Sequence, residues 1–285
     1  MIVALSIAAK VAAESDGEAV SQPEDAQEGL APEEEVEEVE PPPGVEVPEE
    51  APVFRVRFES AGRLQMEVWL DGEPLGRTPL RTELPAGQYF LTASADAIIP
   101  VLQPFEVGDG GDQMVILPTR PVTTENYLSV SQDVFRSLVH FPENPHLLLI
   151  ALYLTVDEEE AGRLLERADE KLEQNAALEA LRARYHLRGG RFGDALRAAE
   201  RAIGIDGTYA LAWRVRAEIL AEQEEWERAL SAANYAVVQE PYGWRNLRTR
   251  ARIHTERGNE RAARLDTERA DELYEQLHRL QVREP

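Results

Sequence analysis

The 285-residue chain reads as three parts in series: a disordered acidic N-terminal segment, a small all-β sandwich, and an all-α helical-repeat solenoid. Three observations predict this multidomain class. Between Glu14 and Glu50 there are 15 acids and no Lys or Arg. From residue 53 apolar and polar side chains alternate with the period of a strand. From residue 142 small residues recur 34 positions apart in helix-forming sequence, a period typical of stacked helical units.

Composition narrows the function before any motif is read. The chain carries 53 Asp+Glu against 30 Lys+Arg, a net charge of -23. Nucleic acids and anionic lipid surfaces attract basic proteins, so neither is expected as a partner. There is no cysteine, so disulfides, thiolate nucleophiles and thiolate zinc sites fall away. His140, His146, His186, His254 and His278 are scattered without metal-ligand spacing, so neither a metal nor a cofactor is expected. No apolar run approaches the ~20 residues of a transmembrane helix.

Residues 1–13, MIVALSIAAKVAA, are apolar and rich in small residues. Val11-Ala12-Ala13 fits the small-x-small pattern of a signal cleavage site, although no charged stretch precedes it and Lys10 interrupts it. This reading places the protein in the periplasm or cell envelope; a cytoplasmic setting is the alternative. Residues 14–52 join acid runs to prolines, as in EEEVEEVEPPP. Too few apolar groups are present to offset the entropy of ordering, so a disordered linker is expected. Like charge and proline extend it.

Residues 53–118 carry the strand signals. Phe54 to Phe58 and Gln65 to Leu70 alternate, and Asp71-Gly72 is a turn signal. Further strands are expected at Gln88 to Ala93 and Gln113 to Leu117. Short strands between Gly/Pro turns predict a small antiparallel sandwich. Gly72, Gly76 and Gly87 suit turns with positive φ. The Gly108-Asp109-Gly110-Gly111-Asp112 stretch reads as a plain hairpin rather than a cation site. Asp71-Gly72-Glu73-Pro74-Leu75-Gly76-Arg77-Thr78-Pro79, followed by Leu84-Pro85-Ala86-Gly87-Gln88-Tyr89, resembles the PEGA domain, a β-sandwich of bacterial surface and envelope proteins. The resemblance implies a binding or spacer module without catalytic residues. Within residues 119–141, Tyr127, Val130, Val134 and Leu138 recur at helical spacing and predict a connecting helix.

Residues 142–285 repeat. Ala161, Ala195, Ala229 and Ala263 are 34 apart; so are Ala168, Ala202, Ala236 and Ala270, and so are Leu149, Ala183, Ala217 and Ala251. Small residues at fixed places let paired helices approach closely. The best window has Trp213, Ala217, Leu220, Ala229, Ala233, Ala236 and Pro241, and it resembles the tetratricopeptide repeat. Three firm repeats and one further repeat are expected, with a polar helix from about Leu265 to Leu280 capping the stack.

The resemblance implies that the first helix of each repeat lines a concave groove. Its groove positions fall on Arg184, Leu187 and Arg188, on Arg214, and on Arg245, Arg248 and Arg252. Arginine pairs carboxylates through two parallel N–H bonds, so these residues suit an acidic peptide, a carboxylate terminus, or the chain's own acidic tail. Arginine on solvated helix faces is the plainer reading of the same residues. The sequence contains no phosphate loop, G-x-S-x-G or H-E-x-x-H. A non-enzymatic protein-interaction scaffold is therefore expected. The alternative is a glycan-binding module that uses exposed aromatics of the β part, Trp69 or Tyr89.

Overall fold

The computed structural model describes residues 52–108 and 112–281. The apolar 1–13 stretch and the acidic segment up to residue 51 lie outside the described residues. Seven strands come first: β1 (Val53–Ser60), β2 (Glu67–Leu70), β3 (Glu73–Arg77), β4 (Leu80–Pro85), β5 (Gly87–Ser94), β6 (Val101–Val107) and β7 (Gln113–Leu117). One sheet has the order β4-β1-β7 and the other β3-β2-β5-β6. The inward positions of the alternating pattern meet between them. Val56, Phe58, Val68, Leu70, Leu91 and Ala93 are buried in one shared cluster.

The Asp71-Gly72 turn joins β2 to β3 with φ of 51° and 89°, the left-handed pair that a two-residue hairpin needs. Gly76 has φ of 132° and stands at a bulge in the β2–β3 register. Thr78 then fixes the path towards the second sheet. Its hydroxyl accepts from the Met66 N–H and donates to the Leu64 carbonyl, both at 3.0 Å.

Three expectations are corrected here. The sandwich is not wholly antiparallel, because β7 runs parallel to β1. β6 and β7 belong to different sheets, so they do not pair with each other as a hairpin, and residues 109–111 between them lie outside the described residues. Gly87 does not adopt positive φ.

Nine helices follow among the described residues: α1 (Tyr127–His140), α2 (Pro145–Leu154), α3 (Glu158–Asp169), α4 (Ala176–Arg188), α5 (Phe192–Ile205), α6 (Ala210–Glu222), α7 (Trp226–Gln239), α8 (Trp244–Glu256) and α9 (Glu260–Gln281). α4 packs with α5, α6 with α7, and α8 with α9, giving a tetratricopeptide-type solenoid. Every member of the three small-residue columns is buried, so the 34-residue register is also the packing register. The turns inside the hairpins repeat too. Gly190, Glu224 and Gly258 have φ of 68°, 61° and 71°, and each turn closes with the same set of backbone hydrogen bonds.

The predicted stripe on α1 packs against α2 through Val130, Val134 and Leu138. α2 is buried nearly all round because it lies among α1, α3, α4 and β5. This explains its unbroken apolar run. The expected capping helix is continuous with the second helix of the last repeat. Its Leu273 and Leu277 turn to the core of the sandwich. A Cβ on Gly62 would meet Leu277 Cδ2 at 2.6 Å, so α9 lies directly on that turn.

Candidate functional site

The sandwich sits in the groove of its own solenoid. The four-stranded sheet turns its outer face to α2 and the turn before it, where Trp69 stacks on His146 of α2 with ring centroids 4.9 Å apart and Phe90 stacks on Phe141, at the end of α1, at 4.4 Å. The β5–β6 loop then carries Asp96 onto the inner helices. Tyr153 of α2 donates its hydroxyl proton to Asp96 Oδ1 at 2.6 Å. Arg214 of α6 reaches both carboxylate oxygens, at 3.0 and 3.1 Å. Arg245 of α8 lies 3.4 Å from Oδ1 and donates to the Tyr153 oxygen at 2.6 Å. Arg184 of α4 covers the Tyr153 ring at 4.5 Å. The backbone N–H of Ala97 donates to the same phenol oxygen at 2.9 Å.

This arrangement settles the charges. Burial works against an ionised Asp96, but Arg214 and Arg245 outweigh it and hold the carboxyl at about 2. Burial, reinforced by Asp96, pushes the Tyr153 phenol up to about 12, so it remains a donor. Buried charges persist when they are paired and hydrogen-bonded, and Arg214 has a second carboxylate partner, Glu218, at 2.7 Å.

The six groove arginines therefore divide. Arg184 is engaged over Tyr153, and Arg188 donates to the Thr155 carbonyl at 2.7 Å. Arg214 and Arg245 hold Asp96. Arg248 and Arg252 face outward, beside Asp271 at 3.0 Å and Glu222 at 3.2 Å. Arg214, Arg245, Arg248 and Arg252 line one cavity of about 310 Å3 with Trp244 and Glu218. Two buried donors on this lining, Arg214 Nε and Trp244 Nε1, have no hydrogen-bond partner among the described residues. Arg248 and Arg252 keep side-chain exposures of 48% and 50%. Exposed pairs of that kind contribute ~0–1 kcal/mol, so an incoming carboxylate can displace them.

Sequence reasoning missed Asp96 and Tyr153. One signal was present: Asp96 is the lone charge between Glu83 and Glu106. A charge inside an apolar stretch needs a partner, although the stretch does not say which.

One arrangement has the outline of a catalytic pair. His146 Nε2 lies 2.8 Å from Ser94 Oγ. Its Nδ1, however, meets the Thr92 hydroxyl at 2.7 Å rather than a carboxylate. Burial lowers the imidazole to about 3, which makes it a poor base for activating serine. The contact fastens α2 to β5. One residue of the glycan reading is corrected in the same place: Trp69 is buried against His146, while Tyr89 is half-buried with its hydroxyl donated to the Pro85 carbonyl at 2.9 Å.

The PEGA domain model matches residues 61–107. Several solved structures resemble the chain. A MamA fragment from Desulfovibrio magneticus RS-1 is 14% identical over 53% of this chain and 95% of that one, with a TM-score of 0.40. The second TPR of Spaghetti (RPAP3), bound to the HSP90 peptide SRMEEVD, is 24% identical over 35% of this chain and 93% of that one, with a TM-score of 0.34. YrrB, a TPR protein with an unusual peptide-binding site, is 16% identical over 52% of this chain and 78% of that one, with a TM-score of 0.36. Among curated proteins, no sequence matches the chain.

Proposed function

We propose that the protein is a non-enzymatic interaction scaffold that receives an acidic peptide segment or carboxylate terminus in the arginine cavity on α6 and α8. The observation that carries this is the surplus of donors. Four guanidinium groups and one indole surround the cavity, with Glu218 as the one acid in its lining, and two of the guanidinium groups, Arg248 and Arg252, are about half exposed. Carboxylates supply the acceptors and the planar geometry that Arg pairs bidentately. Asp96 is the internal precedent, a carboxylate already held by two of these arginines.

The test is fluorescence anisotropy of the full chain with an Asp/Glu-rich peptide and with its Asn/Gln counterpart. The acidic peptide binds more tightly, binding weakens with salt, and Arg248→Ala with Arg252→Ala lowers affinity about tenfold, roughly the effect of losing two half-exposed charge pairs at ~0–1 kcal/mol each. Equal binding of both peptides, or of the double variant and the wild type, removes the proposal. The chain's own 14–50 segment is a candidate ligand of the same chemistry, and a peptide of that sequence belongs in the same titration. A cell-envelope setting is part of the proposal. It is supported by the apolar MIVALSIAAKVAA stretch, and cell fractionation tests it.

A further inference from the structure

A second cavity, of about 80 Å3, lies where the sandwich meets α2, α4 and α6. Its floor is apolar: Leu149, Ile150, Leu181 and Leu211. Its polar wall includes Glu67, Arg77, Asp96 and Glu240. Three of these four are accounted for. Asp96 is held by Arg214 and Arg245. Arg77 binds Asp206 and lies 3.8 Å from Glu67.

Glu240 differs. Its side chain accepts from Asn246 Nδ2 at 3.3 Å, and no Lys or Arg forms an ion pair with it among the described residues. The repeat makes the contrast informative. Asp206 and Glu240 end α5 and α7 at equivalent positions, 34 residues apart. Asp206 receives a guanidinium from the sandwich, and Glu240, one repeat further on, receives none. A carboxylate in an apolar surround is favourable when a cation pairs with it.

We propose that this cavity binds a small organic ammonium, with its apolar body on the leucine floor and its cationic head on Glu240. The size limits the ligand. A water needs roughly 10–15 Å3 of such space, so the cavity admits about five to eight heavy atoms. Cavities of this make-up, apolar with a few convergent polar groups, are where small ligands bind. Asp96, Arg214, Arg77 and Asn246 act on Glu240 through charge or a hydrogen bond, and Tyr209 and Glu67, the latter's carboxyl also raised by burial, line the same cavity. Burial, with Asp96 adding to it, pushes its carboxyl up to about 7. Binding of an ammonium therefore favours the ionised carboxylate and releases a proton near neutral pH.

Isothermal titration of the full chain with isopentylammonium, isopentanol and isovalerate at fixed ionic strength tests this. The ammonium is expected to saturate, the alcohol to bind at least about tenfold more weakly, and the carboxylate not to bind, as expected for a charge-assisted contact. Ammonium affinity is expected to fall about tenfold between about pH 8 and pH 6 as Glu240 protonates. Glu240→Gln keeps the shape and should remove both the preference for the ammonium and its pH dependence. No saturable ammonium binding, equal binding of the alcohol, or a pH-independent affinity in the wild type overturns the proposal; the last result needs no variant. Acidic-peptide binding at the other cavity does not bear on this outcome.

Discussion

Asp96→Asn tests the joint between sandwich and solenoid with almost no change of shape. The carboxyl is held at about 2 against an ordinary 3.8. At about 1.4 kcal/mol per unit, that difference corresponds to roughly 2–3 kcal/mol of charge-specific stabilisation. Solvent screening takes little from this, because the Asp96 side chain is 15% exposed. Asparagine also leaves Arg214, 6% exposed, with Glu218 as its remaining carboxylate, and breaking a buried pair costs about 3–5 kcal/mol. The expected loss is thus about 2–5 kcal/mol, or a melting temperature lower by about 5–15 °C for a body of this size. Urea denaturation followed by circular dichroism measures it. The sign with pH is fixed: a depressed carboxyl stabilises above its unfolded value and loses that contribution as pH falls through its folded one. The gap between wild type and variant should therefore close between about pH 4 and pH 2. A variant within about 0.5 kcal/mol of wild type at neutral pH, the scatter of an ordinary surface substitution, or a gap that persists at low pH, would refute the reasoning.

Three further outcomes follow from the same geometry. Ala229→Leu adds three carbons at a fully buried helix crossing and should cost about 1–3 kcal/mol in chemical denaturation. Glu224→Gly places glycine where the neighbouring repeats already have it, at φ of 61°, and should stabilise by about 0.5–1 kcal/mol, read as a higher urea midpoint. Glu240, raised to about 7, favours the fold fully below its unfolded pKa and loses that contribution as pH rises through the folded one. Stability should therefore fall by roughly 1–3 kcal/mol between about pH 4.5 and pH 7.5, and Glu240→Gln should flatten that slope in a pH series of melting curves.

The helical half was the more legible because its packing rule is written in the sequence. Ala195, Ala229 and Ala263 sit at crossings where larger side chains do not fit, so the columns survive as a visible period. β1 and β2 were legible from alternation. β3, β4 and β6, all edge strands, were not. An edge tolerates Pro74, Gly76 and Pro104, residues that argue against a central strand. The parallel pairing of β7 left no local mark, since it depends on which sheet the chain joins after β6. The groove arginines were visible as a class. Their division into engaged and outward-facing groups was not, because Asp96 lies 118 positions from Arg214 and 149 from Arg245. Charge complementarity across such separations is a property of the folded chain.

Repeat arrays are usually elastic. Each unit touches its neighbours and little else, and small rotations between units accumulate into changes of pitch and curvature. In this chain one aspartate is bonded to, or in the field of, residues on α2, α4, α6 and α8. Stretching or rewinding the superhelix must then strain a single buried ion cluster, so the rotations of four successive units become coupled. The sandwich thus acts as a brace across the array, with Asp96 the one contact that reaches four repeats at once.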